Sequence, residues 1–221
     1  MYNKSDIELK VAEFLLQIKA IKLQPNNPFT WASGWKSPIY CDNRITLSHP
    51  QVRTFIRQKL AQLIQEEFGA VDVIAGVATA GIPQGVLVAQ ELGLPFIYVR
   101  SKAKEHGTGS LIEGEVVEGQ RVVVIEDLIS TGKSSLQAVE ALRNAGLSVA
   151  GLAAIFTYGF VQAEENFAAA KCRYQTLSNY GALIDYAAEH SIIAKSEMEM
   201  LGKWRLSPSE WGQNEALGSE L

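Results

Sequence analysis

Only two cysteines, Cys41 and Cys172, occur in the 221 residues, and the three histidines show no zinc-like spacing beside them. That excludes a disulfide framework and a structural zinc site, and two unpaired thiols suit a reducing compartment. The basic excess that nucleic-acid and membrane-surface binders need is also missing, since the formal net charge is −4 at pH 7. No apolar run approaches the ~20 residues that cross a bilayer. Met1 to Ala20 alternates charge and hydrophobe and so lacks the charged-then-apolar pattern of a signal segment. The expectation is a cytoplasmic protein that binds neither nucleic acid nor membrane.

What is present is an ordinary globular composition, 47% hydrophobic and 20% charged, long enough for one good core. Ser5 with Glu8 reads as a capping box opening a first helix, whose apolar face is Ile7, Val11, Phe14, Leu15 and Ile18. Gln24 to Leu47 is rich in Pro, Asn, Ser, Gly and aromatic residues and reads as an irregular, structured loop. Ser48, Gln51 and Pro50 announce a second helix ending at Gly69. From there the pattern becomes α/β. VDVIAGVA and RVVVIED are continuous β-branched runs of the kind buried on both faces of a parallel sheet. PFIYVR and SVAGLAAIFTYG read as further strands; Ile82 to Leu92, Gly132 to Asn144, Gln162 to Ala170 and Tyr180 to His190 read as helices. The predicted organisation is an N-terminal helix and hood segment (1–50), an α/β core (51–204) and a polar tail (205–221).

The run from Val122 to Ser134 carries the chemistry. Its apolar half is a buried strand that delivers Glu126 and Asp127 to the carboxyl edge of a sheet, where open α/β folds bind ligands. Two adjacent carboxylates there can accept hydrogen bonds from a vicinal diol such as that of ribose. Leu128 and Ile129 follow, and then Ser130, Thr131, Gly132, Lys133 and Ser134 place amides and hydroxyls at a helix N-terminus, which suits a phosphate dianion. Gly132-Lys133-Ser134 imitates the end of a nucleotide-hydrolysing P-loop, but that motif needs a glycine where Asp127 stands. Upstream, Ala78, Thr79, Ala80 and Gly81 form a small-residue turn whose amides can approach an anion closely. Between the two, Arg100, Lys102, Lys104 and His106 make a cationic loop inside an acidic chain, a lid fitted to neutralise a departing anion and exclude water.

The thirteen residues Val122–Ser134 resemble the phosphoribosyl-diphosphate signature of the type I phosphoribosyltransferases. The Arg100, Lys104, His106, Gly107 pattern, with Phe29-Thr30-Trp31-Ala32-Ser33-Gly34 and Lys36-Ser37-Pro38-Ile39-Tyr40, resembles the orotate-using members of that family. The resemblance implies a mostly parallel sheet flanked by helices, with a small hood from the N-terminal region. It also implies Mg²⁺-dependent transfer of phosphoribosyl from 5-phosphoribosyl 1-diphosphate to orotate, in a homodimer whose lids serve the neighbouring site. The metal is expected to ride mainly on the phosphoribosyl diphosphate, with no dedicated protein ligands. In this reading Arg100, Lys104, His106 and Asp127 are catalytic. Glu126 to Ser134, Ala78 to Gly81, Lys102 and Tyr40 bind substrate. The sequence departs from the family at Ala32 and Ser101, where many members carry lysine, and Lys102 is the candidate to cover for the latter. Some members also place an arginine near Tyr158 for the orotate carboxylate; Arg44 is the candidate here, because its fork-shaped guanidinium suits a carboxylate. Its alternative is an ion pair with Asp42. Transfer to another base, and a non-catalytic sensor of phosphoribosyl diphosphate, are the competing readings.

Overall fold

A computed structural model of the chain describes residues 4–31, 33–102 and 111–212. In chain order the helices are α1 (Lys4–Gln17), α2 (Pro50–Glu67), α3 (Gly81–Leu92), α4 (Lys133–Asn144), α5 (Val161–Ala169), α6 (Tyr180–Glu189) and α7 (Met198–Leu206). The strands are β1 (Ile21–Leu23), β2 (Phe29–Thr30), β3 (Lys36–Ser37), β4 (Ile39–Cys41), β5 (Val73–Val77), β6 (Phe96–Val99), β7 (Ile112–Glu113), β8 (Arg121–Ile129), β9 (Ser148–Thr157) and β10 (Tyr174–Asn179). Lys104 and His106 of the expected lid, and Ala32 of the hood, lie outside the described residues.

Six strands form the central sheet in the order β10-β9-β8-β5-β6-β7, parallel throughout except for β7, which runs antiparallel to β6. The β-branched runs sit at its centre because both their faces are covered. Alternate side chains of a strand point to opposite faces. Accordingly Val122 and Val124 pack with Ala138 and Leu142 of α4, whereas Val123 and Ile125 pack with Ile56 and Leu60 of α2 and Val88 of α3. Each such fully buried side chain stabilises the fold by roughly 1.5–3 kcal/mol.

Strand order reverses between β5 and β8: the chain proceeds outward on one side through β6 and β7, and on the other through β9 and β10. The connections leaving β5 and β8 therefore diverge and open a crevice at the strands' carboxyl ends, where doubly wound sheets take ligands. The pairing register puts the acids there. The β5–β8 ladder ends at Gly76 opposite Ile125, while the β8–β9 ladder continues to Ile129 opposite Thr157. Glu126 and Asp127 thus lie just past the point where β8 loses its neighbour on one side, held only from the other.

Several elements differ from the expectation. α1 begins at Lys4, so Ser5 is a helical residue and not its cap. His49, without a side-chain capping bond, precedes α2, and Pro50 occupies the first turn, so Ser48 is not the cap either. The segment expected to be irregular is two short antiparallel ribbons, β1 with β4 and β2 with β3, followed by a 3₁₀ helix at Asn43–Ser48. β8 runs two residues beyond Asp127 because β9 is long enough to pair with it. β10 and α7 were not anticipated at all.

α7 secures the hood. Its Trp204 is fully buried, donates from Nε1 to the Lys36 carbonyl at 3.2 Å, and meets the Trp31 ring at 5.8 Å and the Tyr158 ring at 5.7 Å. Trp31 donates to the Ile39 carbonyl at 3.1 Å and packs against Trp35 at 6.3 Å. The hood tryptophans are accordingly packing residues, and Tyr40, on β4, is the exposed aromatic ring. Among the described residues no helix is long and apolar enough to cross a membrane.

Candidate active site

Two helix N-termini face the crevice, one after each diverging strand. α3 starts at Gly81 after the Ala78–Gly81 turn, in which the Ala78–Thr79 peptide bond is cis and Ala78 N donates to the Val99 carbonyl at 2.9 Å. α4 starts after Ser130–Gly132. Neither helix is capped by a side chain from its N-cap residue, Ala80 or Gly132, so first-turn amides remain for an external anion. Gly132 is required there: its φ is +78°, and a Cβ would stand 2.6 Å from the Phe167 ring. Asn166 of α5 holds the loop from outside, donating to the Thr131 carbonyl at 2.9 Å.

Between these two turns sit the acids. Glu126 is buried, and both its oxygens are engaged: Oε1 accepts from the Asp127 amide at 3.0 Å and Oε2 from the Ser135 hydroxyl at 3.2 Å. Burial, followed by the adjacent Asp127 charge, pushes the Glu126 carboxyl well above the usual range. Asp127 is also raised by burial, but the Glu126 carboxyl and the Arg44 guanidinium pull it back down. The pair therefore titrates as one unit, with the proton held on Glu126 and the charge on the half-buried Asp127.

A cavity of about 450 Å³ brings together Ala78 of the small-residue turn, Arg100 and Lys102 at the base of the expected lid, and Ser134 of the first turn of α4; Glu126 and Asp127 do not line it. Arg100 lies 3.4 Å from Glu113 of β7 across an ion pair, and its amide donates to the Leu111 carbonyl at 2.8 Å. Lys133 and Thr131 instead line a separate depression between α4 and α5, of about 670 Å³. Tyr40 packs near Phe29, with ring centroids 5.6 Å apart. Arg44 is close enough to Asp127 to lower its pKa, yet its guanidinium already grips Asp42 in a fork, at 2.6 Å from Nε and 2.8 Å from Nη2. An incoming carboxylate would have to displace Asp42.

Some residues at the crevice were invisible to sequence reasoning. Ser135, which holds Glu126, lies one residue beyond the recognised motif. Asn43 donates to the Asp127 carbonyl from 84 positions away. Tyr158 is buried within the hood's aromatic cluster, and burial pushes its phenol upward. The guanidinium beside it belongs to Arg205 of α7, which donates to the Gly159 carbonyl at 3.3 Å. No local pattern links any of these to the motif.

A carboxylate pair between two uncapped helix starts, at the switch point of a parallel sheet, has the chemistry to take a sugar bearing phosphates at both ends. The family model described as "Phosphoribosyl transferase domain" matches residues 46–189, so the chain is a phosphoribosyltransferase in family and fold. The orotate phosphoribosyltransferase of Porphyromonas gingivalis is 56% identical over 202 residues, covering 91% of this chain and 96% of that protein. Among solved structures, orotate phosphoribosyltransferase from Aeropyrum pernix superposes with a TM-score of 0.72 at 27% identity, covering 83% of this chain and 99% of that one. The Mycobacterium tuberculosis orotate phosphoribosyltransferase in complex with 5-phospho-α-D-ribosyl 1-diphosphate gives 0.63 at 26% identity, covering 80% and 98%. The chain belongs to the orotate phosphoribosyltransferase family.

Proposed function

We propose that the protein transfers phosphoribosyl from 5-phosphoribosyl 1-diphosphate to orotate, giving orotidine 5′-phosphate and diphosphate. The observation that carries this is the placement of the Glu126–Asp127 pair between the Ala78–Gly81 and Ser130–Ser134 turns, in a chain so similar to orotate phosphoribosyltransferases. Asp127, with Glu126 behind it, holds the ribose diol. Ser130 to Ser134 hold the 5′-phosphate, and Ala78 to Gly81 hold the diphosphate. As the C1–oxygen bond breaks, positive charge grows on the ribose and negative charge on the leaving diphosphate. The orotate nitrogen then attacks C1 from the opposite face. Orotate is already anionic, so catalysis lies in positioning and in stabilising the leaving group.

Arg100, Lys102, Lys104 and His106 meet the diphosphate charge, Tyr40 borders the base, and Arg44 would take the orotate carboxylate by exchanging Asp42 for it. Among the described residues no group of three or more His, Cys, Asp or Glu could hold a metal. A Mg²⁺ brought in mainly with the phosphoribosyl diphosphate would meet the Asp127 carboxylate, a hard oxygen donor that suits it. When bound, the ion neutralises diphosphate charge. The division into hood (1–50), core (51–204) and tail (205–221), the cytoplasmic location and a homodimer with shared lids belong to the same proposal.

Purified protein mixed with Mg²⁺, phosphoribosyl diphosphate and orotate is expected to consume orotate's ultraviolet absorbance. Turnover of guanine, hypoxanthine, adenine or uracil in its place would overturn the choice of base. Ligand binding with no turnover of any base would make the protein a sensor. Within the mechanism, Lys104→Ala is expected to lower kcat by about 10²–10³, the scale for removing a group that stabilises transition-state charge. The KM for phosphoribosyl diphosphate should change far less. Steady-state kinetics decide this, and an unchanged kcat would remove Lys104 from the reaction.

A further inference from the structure

Three deeply buried polar side chains have no part in the chemistry above: Asn43, Thr46 and Gln84. Burying such groups is unfavourable unless hydrogen bonds replace the lost water, and here the bonds form a single chain. Asn43 Nδ2 donates to the Asp127 carbonyl at 2.7 Å. The Thr46 hydroxyl donates to the Asn43 carbonyl at 2.6 Å and accepts from Gln84 Nε2 at 3.0 Å. Because the hydroxyl's one proton is committed to Asn43, Gln84 must present its amide nitrogen. Its Oε1 is left buried without a hydrogen-bond partner among the described residues. Leaving a buried acceptor unpaired is costly, so stability alone does not account for a glutamine at this position.

The two ends of the chain are informative. One is the backbone of Asp127, on the strand that supplies the ribose acids. The other is the first turn of α3, three residues after Gly81 closes the small-residue turn. Between them lies the 3₁₀ helix Asn43–Ser48, attached to the hood through β4. Asn43 is tied to that strand as well, since its Oδ1 accepts from the Cys41 thiol at 3.4 Å.

We propose that Asn43, Thr46 and Gln84 are positioning residues that hold the ribose acids and the diphosphate turn at the separation an intact phosphoribosyl diphosphate requires. The proposal rests on the function proposed above. When two anchors are held in register, binding one end of a ligand makes binding of the other intramolecular. Letting the anchors drift by a fraction of an ångström removes that advantage for the whole ligand and leaves each anchor intact for a fragment.

The test is calorimetric titration with Mg²⁺ present, using phosphoribosyl diphosphate, diphosphate alone and ribose 5-phosphate alone as probes. Thr46→Val keeps the shape and removes the hydroxyl, and is expected to weaken binding of the intact ligand about tenfold, a partial loss of the roughly 10²–10⁴ that linking two binding events can contribute. Both fragments should bind as they do to the wild type, and Thr46→Ser should restore the intact ligand's affinity. If the fragments weaken as much as the whole, the damage is local and the proposal fails; it also fails if all three affinities are unchanged. Should Thr46→Val not fold, Gln84→Met removes the donor at the other end with nearly conserved volume and carries the same comparison. A wild type that does not bind intact phosphoribosyl diphosphate would overturn the proposed function itself, an outcome separate from any difference between variants.

Discussion

Glu126→Gln is expected to melt at a higher temperature than the wild type at neutral pH while losing about 10²-fold in kcat/KM for phosphoribosyl diphosphate, the scale of one preorganised charge-stabilising group. The stability half follows from linkage. Burial raises the folded-state pKa of Glu126 above its ordinary value of 4.5. Below that ordinary value both folded and unfolded chains carry the proton, and Glu126 imposes no penalty. As pH rises, the unfolded chain ionises first, so stability falls until the pH passes the raised folded value and then levels off. Glutamine never ionises. Its Oε1 can still accept from the Asp127 amide and its Nε2 can donate to Ser135 Oγ, so the two bonds of Glu126 are kept in kind. The advantage of the variant should therefore be absent at pH 4 and grow toward pH 8, with each kcal/mol relieved raising Tm by about 2–4 °C in a chain of this size. The activity half follows from the same proton: Glu126 holds it beside Asp127, so the pair's one negative charge can be shared between the two carboxyls as the ribose becomes cationic, and glutamine, with no proton to move, cannot share it. Thermal melts at pH 4 and pH 8 with steady-state kinetics check both halves. An equal Tm difference at the two pH values would mean that Glu126 is not desolvated in the fold. An unchanged kcat/KM would remove it from the ribose site.

The legibility of this molecule follows how its contacts are distributed along the chain. Val122–Ser134 could be read because strand, acids, glycine and helix start are consecutive, and each carries its own chemical mark. β5 and β8 could be read because their two buried faces demand unbroken β-branched runs. β10 could not: Tyr174-Gln175-Thr176-Leu177-Ser178-Asn179 is an edge strand in which only Leu177 and Ser178 are buried, and Ser178 is tied to the Glu8 carbonyl 170 positions away. α7 buries only Leu201 and Trp204, too narrow a stripe to announce a helix. At the site, Ser135 reaches Glu126 across a strand, a loop and a helix start, and Gln84 reaches Thr46 across 38 positions. Such contacts exist only once the sheet has assembled. Arg44 shows the opposite case: the local Asp42-Asn43-Arg44 sequence contained both readings, and the fold shows the ion pair with Asp42.

Gly81→Ala is expected to be among the most damaging single-methyl additions to the core. The glycine was first read as leaving room for an anion, but the tighter constraint lies on its other side. A Cβ there would be driven into the Ile125 carbonyl oxygen, with the Ile125 carbonyl carbon at 3.3 Å and the Glu126 Cα at 3.4 Å. These are backbone atoms of the central strand and cannot rotate away. Gly76 mirrors the arrangement from β5, where a Cβ would meet the Gly81 carbonyl oxygen and the Ile82 Cα, each at 2.9 Å. The two glycines let α3 lie directly against the sheet, which brings the diphosphate turn beside the acids. Overpacking of this kind costs about 2–3 kcal/mol, and alanine's helix preference offsets at most about 1 kcal/mol of it. That gain is small here because Gly81 is the first residue of α3. The expected result is a Tm lower by about 4–12 °C, together with weaker diphosphate binding as α3 is pushed off β8. Gly85→Ala is the matched comparison on the same helix. Its Cβ would meet the Phe96 ring at 2.5 Å, a half-buried side chain that can turn aside, and among backbone atoms the Gly76 Cα at 3.4 Å, an ordinary contact distance. Its loss of stability should be clearly smaller, and diphosphate affinity should hold. Melting curves and diphosphate titrations of the two variants decide the matter. If Gly81→Ala is no worse than Gly85→Ala, close approach of α3 to β8 is not what sets the geometry of the diphosphate turn.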